Sequence, residues 1–168
     1  MEFWNMLRVA VLTVSDRSSE GIRPDASGPV LIKRVNALSW KVVESAICPD
    51  DEGSIREQLI KWSDNEVADL ILTTGGTGLA PRDVTPEATQ AVVTRLIPGI
   101  SEAMRAASLL KTPHAMLSRG LAGVRARSLI INLPGSPKAA LENLDAVAAA
   151  LEHAVSKIQG DPSDCAQI

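Results

Sequence analysis

The chain has 168 residues, 45% of them hydrophobic and 22% charged, with a formal net charge of -3. That length suits one domain with a sizeable core, and the composition is that of a soluble globular protein. An acidic balance with one Phe, three Trp and no Tyr lacks both the basic surface and the stacking aromatics of a nucleic-acid binder, and no apolar run is long enough to span a membrane.

The N-terminal MEFWNMLRVAV has no basic segment followed by a small-residue cleavage site, so secretion is not expected. Cys48 and Cys165 form neither a disulfide framework nor a metal-ligand spacing. The expected compartment is therefore a reducing cytoplasm, without a structural zinc site. Cys48 reads as a core residue, and Trp4, Trp40 and Trp62 as packing or interface residues.

LRVAVLTVS, Leu7 to Ser15, is apolar and valine-rich and predicts a buried strand, followed by the polar loop DRSSEGIRPDAS. Ser27 is the expected cap of a helix with Leu31, Val35 and Leu38 on one face. A second strand spans Trp40 to Cys48 and stops at Pro49-Asp50-Asp51. Ser54 and Glu57 then have capping-box spacing, and Ile55, Leu59 and Trp62 share a helical face. ADLILTTGG, Ala68 to Gly76, predicts a third strand running into glycines.

Thr85-Pro86-Glu87 reads as cap, first-turn proline and first-turn acid of a helix reaching about Leu96. Ile97-Pro98-Gly99 interrupts, and another helix is expected from Ser101 to Leu110. After Thr112-Pro113 come a short strand-like piece and a firm strand, Ser128 to Leu133. The last helix starts at Ser136-Pro137, with Leu141, Leu144, Ala148, Leu151, Val155 and Ile158 on one face. Apolar strands alternating with amphipathic helices imply a three-layer α/β domain around a mostly parallel sheet. It is expected to occupy residues 1–160, with 161–168 as a frayed tail.

In such sheets ligands bind beyond the carboxyl ends of the strands, near a reversal of strand order. Those ends carry Ser15-Asp16, Pro49-Asp50-Asp51, Thr74-Gly75-Gly76-Thr77-Gly78 and Pro134-Gly135-Ser136. The glycine run is not a dinucleotide fingerprint, because Pro81 stands where the third glycine belongs, and with no lysine it is not a P-loop. A strand-end anion loop or a plain tight turn remains. Asp50 and Asp83 could face one cleft and, with phosphate oxygens, hold Mg²⁺; alternatively each caps a turn. Arg82 fits a phosphate contact or a surface salt bridge. Lys138 sits in a helix first turn, where the dipole disfavours a cation, which hints at an anionic ligand. Ser118-Arg119 could offer a hydroxyl and a cation to a ligand or to solvent. Neither His114 nor His153 has a partner at useful spacing.

Taken together, VLTVSDR, CPDD, TTGGTGLAPRDVTPEAT, MLSR and INLPGSPKA closely resemble the Mog family of molybdopterin adenylyltransferases, which includes the gephyrin G domain. The resemblance runs in register from about Leu7 to Ile158. It implies a single α/β domain, commonly a homotrimer, that joins molybdopterin to the AMP part of ATP in the presence of Mg²⁺ and releases pyrophosphate. The product is the form on which a downstream protein inserts molybdenum. By resemblance, Asp50 and Asp83 are the functional aspartates and metal ligands. Ser15, Asp16, Thr74, Gly75, Gly76, Thr77, Gly78, Arg82, Ser118, Gly135, Ser136 and Lys138 match or adjoin ligand-contacting loops. Leu79 replaces a Phe of gephyrin-like sequences and Asp51 a frequent Glu; neither is a proposed metal ligand. Two further readings are a MoaB-type pterin-binding relative with weak or no transfer, against which the second aspartate Asp83 argues, and a scaffold domain. The scaffold reading is disfavoured because no linker or second domain is legible.

Overall fold

The computed structural model describes residues 6–162. Trp4, Cys165 and the tail beyond Pro162 lie outside the described residues. In chain order the elements are β1 (Arg8–Val14), α1 (Asp16–Ser19), α2 (Ser27–Ala37), β2 (Lys41–Cys48), α3 (Glu52–Asp64), β3 (Leu70–Thr74) and α4 (Thr85–Val92). They continue with β4 (Arg95–Leu96), α5 (Pro98–Leu109), a 3-10 turn (Pro113–Leu117), β5 (Ala122–Arg125), β6 (Ser128–Leu133) and α6 (Pro137–Ile158).

The six strands form one sheet in the order β2-β1-β3-β6-β5-β4. The first four are parallel; β5 runs antiparallel to β6, and β4 to β5. Because β2 lies on one side of β1 and β3 on the other, the strand order reverses between β1 and β3. Their carboxyl ends therefore open a crevice rather than being bridged by a connection.

Alternation along the central strands fills two cores. Val9, Val11, Leu70, Leu72, Leu129 and Ile131 pack against α2, α5 and α6. On the opposite face Ala10, Leu12, Val14, Ile71 and Ile130 pack against Ile55, Leu59 and Trp62 of α3 and Ala88 and Val92 of α4. This is the three-layer α/β arrangement expected from the sequence. Trp40 and Trp62 are buried packing residues, and Trp40 donates its indole N–H to Glu152 at 2.6 Å. Cys48 is buried, and burial first, then the charges of Asp50 and Asp51, push its thiol up to about 12, which leaves it unreactive.

Local starts and stops differ from the sequence reading where a neighbouring side chain takes over. The loop after β1 contains the short helix α1. Ser27 does not cap α2; the Asp25 carboxylate accepts from the N–H groups of Ser27 and Gly28 instead. Asp51, not Ser54, caps α3 and receives the Ser54 N–H at 2.8 Å. Thr85 is inside α4, and its hydroxyl bonds back to the Gly75 carbonyl at 2.9 Å. That helix stops at Val92, short of Leu96, because Arg95 and Leu96 pair with Val124 and Gly123 as an edge strand. Pro98, read as a breaker, instead starts α5.

One buried polar residue ties the layers together beneath the crevice. Asn132, in the apolar run of β6, donates to the hydroxyls of Thr73 and Thr89 at 3.0 and 2.9 Å and accepts the Leu121 N–H at 3.2 Å. It links β6, β3, α4 and the lead into β5. Asn132→Ala leaves two buried hydroxyls and one N–H without this partner. It is expected to lower unfolding free energy by about 2–4 kcal/mol, read from denaturant midpoints at constant m. A loss below about 0.5 kcal/mol would remove this role.

Candidate functional site

The carboxyl ends of β1, β3 and β6 meet so closely that only glycine fits between them. Gly75 has φ +105°, and a Cβ there would run into the Val14 carbonyl oxygen. Its N–H donates to the Leu133 carbonyl at 3.2 Å, and Gly135 lies against its Cα. Gly76, also at positive φ (65°), lies beside the Thr85 hydroxyl and Asp50.

Around these glycines stand three aspartates and one arginine. Asp16 and Asp50 exchange bonds: the Asp16 N–H donates to Asp50 Oδ2 at 2.8 Å, and the Asp50 N–H to Asp16 Oδ1 at 2.9 Å. Arg82 grips Asp16 through Nε and Nη2 at 2.9 and 2.8 Å. The Arg82 hydrogen bond and then the Asp50 N–H hold the Asp16 carboxyl below the usual carboxylate range. Its bonding is therefore retained until pH falls below that range.

Asp50 is shifted the other way. Burial raises its pKa, and the negative charges of Asp16 and Asp83 add to the effect. Asp83 accepts the Ala80 N–H on Oδ2 at 2.9 Å, so one oxygen of each carboxylate is occupied by backbone and the other makes no hydrogen bond within the described residues. The structure thus brings Asp50, Asp83, Asp16 and Arg82 to one crevice with the glycine loop.

Among the described residues no group of three or more His, Cys, Asp or Glu side chains is placed to hold a metal ion. Two carboxylates with free oxygens, one held at a raised pKa by burial and its neighbours' charge, suit Mg²⁺, which keeps waters and completes its shell with substrate phosphates. The donor set fits a cation that arrives with a phosphate ligand, not one caged by the protein alone.

The other predicted contacts divide. Ser15 caps α1, its Oγ accepting the Ser18 N–H at 3.2 Å, and lies at the end of β1. Thr74 is fully buried with its hydroxyl donated to the Pro134 carbonyl at 2.7 Å, and Thr77 is buried as well. The Thr74 side chain thus ties the end of β3 to the turn before α6. Gly78 lies against Asp83. Gly135, Ser136 and Lys138 are exposed at the start of α6, where Ser136 is the cap; Lys138 makes no ion pair among the described residues. Ser118 borders a separate cavity of about 340 Å³ with Leu96, Ser101, Arg105 and Arg119. A broader depression of about 530 Å³ beside Arg56 and Lys61 lies on one face of α3, where no strand ends converge.

The sequence presents Arg119 only as a possible ligand cation. Its guanidinium instead turns to the glycine loop, donating to the carbonyls of Gly78 and Asp83 at 2.8 and 2.6 Å and pairing with Glu87. Burial is the largest single influence and acts to raise the Glu87 pKa, but the Arg119 hydrogen bond, the residue's own backbone N–H and the Arg119 charge together hold the carboxyl below its ordinary value. Nothing in the spacing of Arg119 and Gly78 signals this contact, since it is made only by folding. Asn132 does leave a trace, as an amide inside an otherwise apolar strand.

The family model described as a probable molybdopterin binding domain matches residues 10–153. The chain belongs to this molybdopterin-binding family. Among relatives, it is 44% identical to the molybdopterin adenylyltransferase of Helicobacter pylori over 92% of this chain and 89% of that protein. It is 46% identical to gephyrin of Dictyostelium discoideum over 92% of this chain, but spans only 23% of that protein's length. Its fold superposes with TM-score 0.87 and 49% identity on the molybdopterin biosynthesis enzyme MoaB of Thermus thermophilus, over 95% of this chain and 100% of that one. In this molybdopterin-binding domain the matched span contains every aspartate, glycine and serine of the crevice.

Because the Asp50 carboxyl is raised, protons compete with a divalent cation for it above the ordinary carboxylate range. If Asp50 is a metal ligand, Mg²⁺ binding titrated calorimetrically is expected to weaken as pH falls from neutral toward the ordinary carboxylate range, and to release protons into the buffer. Affinity independent of pH over that interval would exclude Asp50 as a ligand.

Proposed function

We propose that this protein is a molybdopterin adenylyltransferase, transferring AMP from ATP to the terminal phosphate of molybdopterin with release of pyrophosphate. The observation that carries the reading is the convergence of Asp50 and Asp83 on a glycine loop at the strand-order reversal. Likeness to adenylyltransferases at 43–44% identity over most of both chains supports it.

A phosphate oxygen of molybdopterin attacks the α-phosphorus of ATP, a new P–O bond forms, and the bond to the β-phosphate oxygen breaks as pyrophosphate leaves. The nucleophile is already an anion, so the site needs no strong base, consistent with the lack of a histidine among the crevice residues. Asp50 and Asp83 would hold Mg²⁺, which when bound neutralises charge on the transferring and leaving phosphates. The Gly76–Gly78 backbone lies where a phosphate would meet N–H groups, and Lys138 and the start of α6 add positive potential at the same edge. The cavity beside Ser118 is offered for the pterin, with its phosphate toward the glycine loop.

A MoaB-type protein that binds pterin with little transfer is the second reading, favoured by the 49% likeness to the Thermus enzyme. Both aspartates are present, and they argue for transfer. With purified protein, molybdopterin and Mg-ATP, mass detection of adenylylated pterin is the expected result. Asp83→Asn should lower turnover by at least about 100-fold with the melting temperature kept. Near-normal turnover of that variant, or no product from the parent protein, would sink the reading.

We further propose a homotrimer in a reducing cytoplasm. Leu109, Leu110, Met116 and Leu117 are exposed at the end of α5 and the following turn, with Leu110 at 89%, and such a patch asks for a cover. Light scattering should give three times the 17.8 kDa chain mass, and a strictly monomeric mass would refute it. Among the described residues, no helix is long and apolar enough to cross a membrane.

A further inference from the structure

We infer that Arg119 is a positioning residue, a strut that sets Asp83 from outside the crevice, and not a ligand for substrate phosphate. The inference rests on the adenylyl-transfer reading for its kinetic consequence, but its structural content stands without it.

Three contacts from this one residue reach the Thr77–Asp83 segment, and a fourth reaches the helix that follows it. The Arg119 N–H donates to the Thr77 carbonyl at 2.9 Å, Nε to the Gly78 carbonyl at 2.8 Å and Nη2 to the Asp83 carbonyl at 2.6 Å, while Nη1 pairs with Glu87 in the first turn of α4. Both ends of the Thr77–Asp83 excursion, and the helix that follows it, are therefore held by one residue. Inside that excursion the turn closes on itself: the Asp83 N–H donates to the Ala80 carbonyl at 2.8 Å and the Ala80 N–H to the Asp83 carboxylate. Leu79 is 64% exposed and anchors nothing. Without Arg119, the turn carrying Asp83 keeps its own closing bonds and the Thr85 bonds to Gly75 and Gly76 behind it, but loses the hold on the Gly78 and Asp83 carbonyls.

The charge points in the same direction. Glu87 already meets the guanidinium, and its Nε and Nη2 groups are committed to loop carbonyls, so little of it remains for a phosphate. Ser118 precedes Arg119 directly and borders the neighbouring cavity. The strut therefore connects the wall of that cavity to the Asp83 turn, and a displacement of either is felt by the other.

Lysine separates geometry from charge, because it retains the cation but cannot span three divergent acceptors. Arg119→Lys and Arg119→Gln are to be compared with the parent protein by steady-state kinetics, thermal melting and hydrogen exchange of the amides from residue 78 to 83. The expected result is a kcat lowered by about 10–100-fold in both variants. The KM for molybdopterin should change by less than about threefold, the half-saturating Mg²⁺ should rise, and exchange should quicken in that segment alone. Parent-like kcat and exchange in Arg119→Lys would overturn the proposal, leaving charge as the requirement. A raised KM with kcat retained would make Arg119 a substrate ligand and overturn it too. A lower melting temperature with local exchange and kcat unchanged would reduce it to a fold contact. Should the parent protein transfer no AMP, the functional reading fails, and the exchange measurement still decides the strut.

Discussion

The site depends on how closely three parallel strand ends approach one another. Gly75 sits where the ends of β1, β3 and β6 converge, at a φ that L side chains avoid and against the Val14 carbonyl. Any side chain there would force β1 and β3 apart, and with them Asp16 on one rim and the Gly76–Gly78 loop on the other. Thr85 fastens the same glycine to α4 through its carbonyl, and Thr74 fastens β3 to the turn before α6. The crevice is thus formed by close backbone contact, and its polar side chains are added to a shape already determined.

Electrostatics within that shape are unbalanced. Asp16 is neutralised by Arg82 and kept ionised, while its backbone and the backbone of Asp50 lock the two residues in one orientation. Asp50 is left facing a second carboxylate with its own charge disfavoured by burial. Above its folded pKa that charge opposes folding, and the opposition disappears as pH falls through that value. A bound cation would relieve it without protonation. Unbalanced charge of this kind, set by burial and neighbouring carboxylates in a cleft, is characteristic of functional sites.

The layer architecture was legible because strands buried on both faces read as apolar runs, and helices packed on one face read as stripes of period 3.6. β1, β3, β6 and α6 all appear where those patterns placed them, and Ser136-Pro137 marks the start of α6 in both. Boundaries failed where another partner, distant or near in the chain, competes with the expected one. Arg95 and Leu96 leave helical register to pair with β5, and Asp25 displaces Ser27 as the cap of α2 from two positions upstream.

The sequence by itself determined the fold class and the aspartates and glycines at strand ends, since these follow from periodicity and from the turn chemistry of single residues. It also carried the family resemblance, which matching over residues 10–153 bears out. Only the tertiary structure decided which polar groups face the crevice. The Thr74 hydroxyl is bonded to the Pro134 carbonyl, Asp16 is taken up by Arg82, and Arg119 reaches 36 residues back to hold Asp83. Such assignments depend on which backbone carbonyls and carboxylates arrive within hydrogen-bond reach after the sheet closes, and no local pattern along the chain encodes that distance.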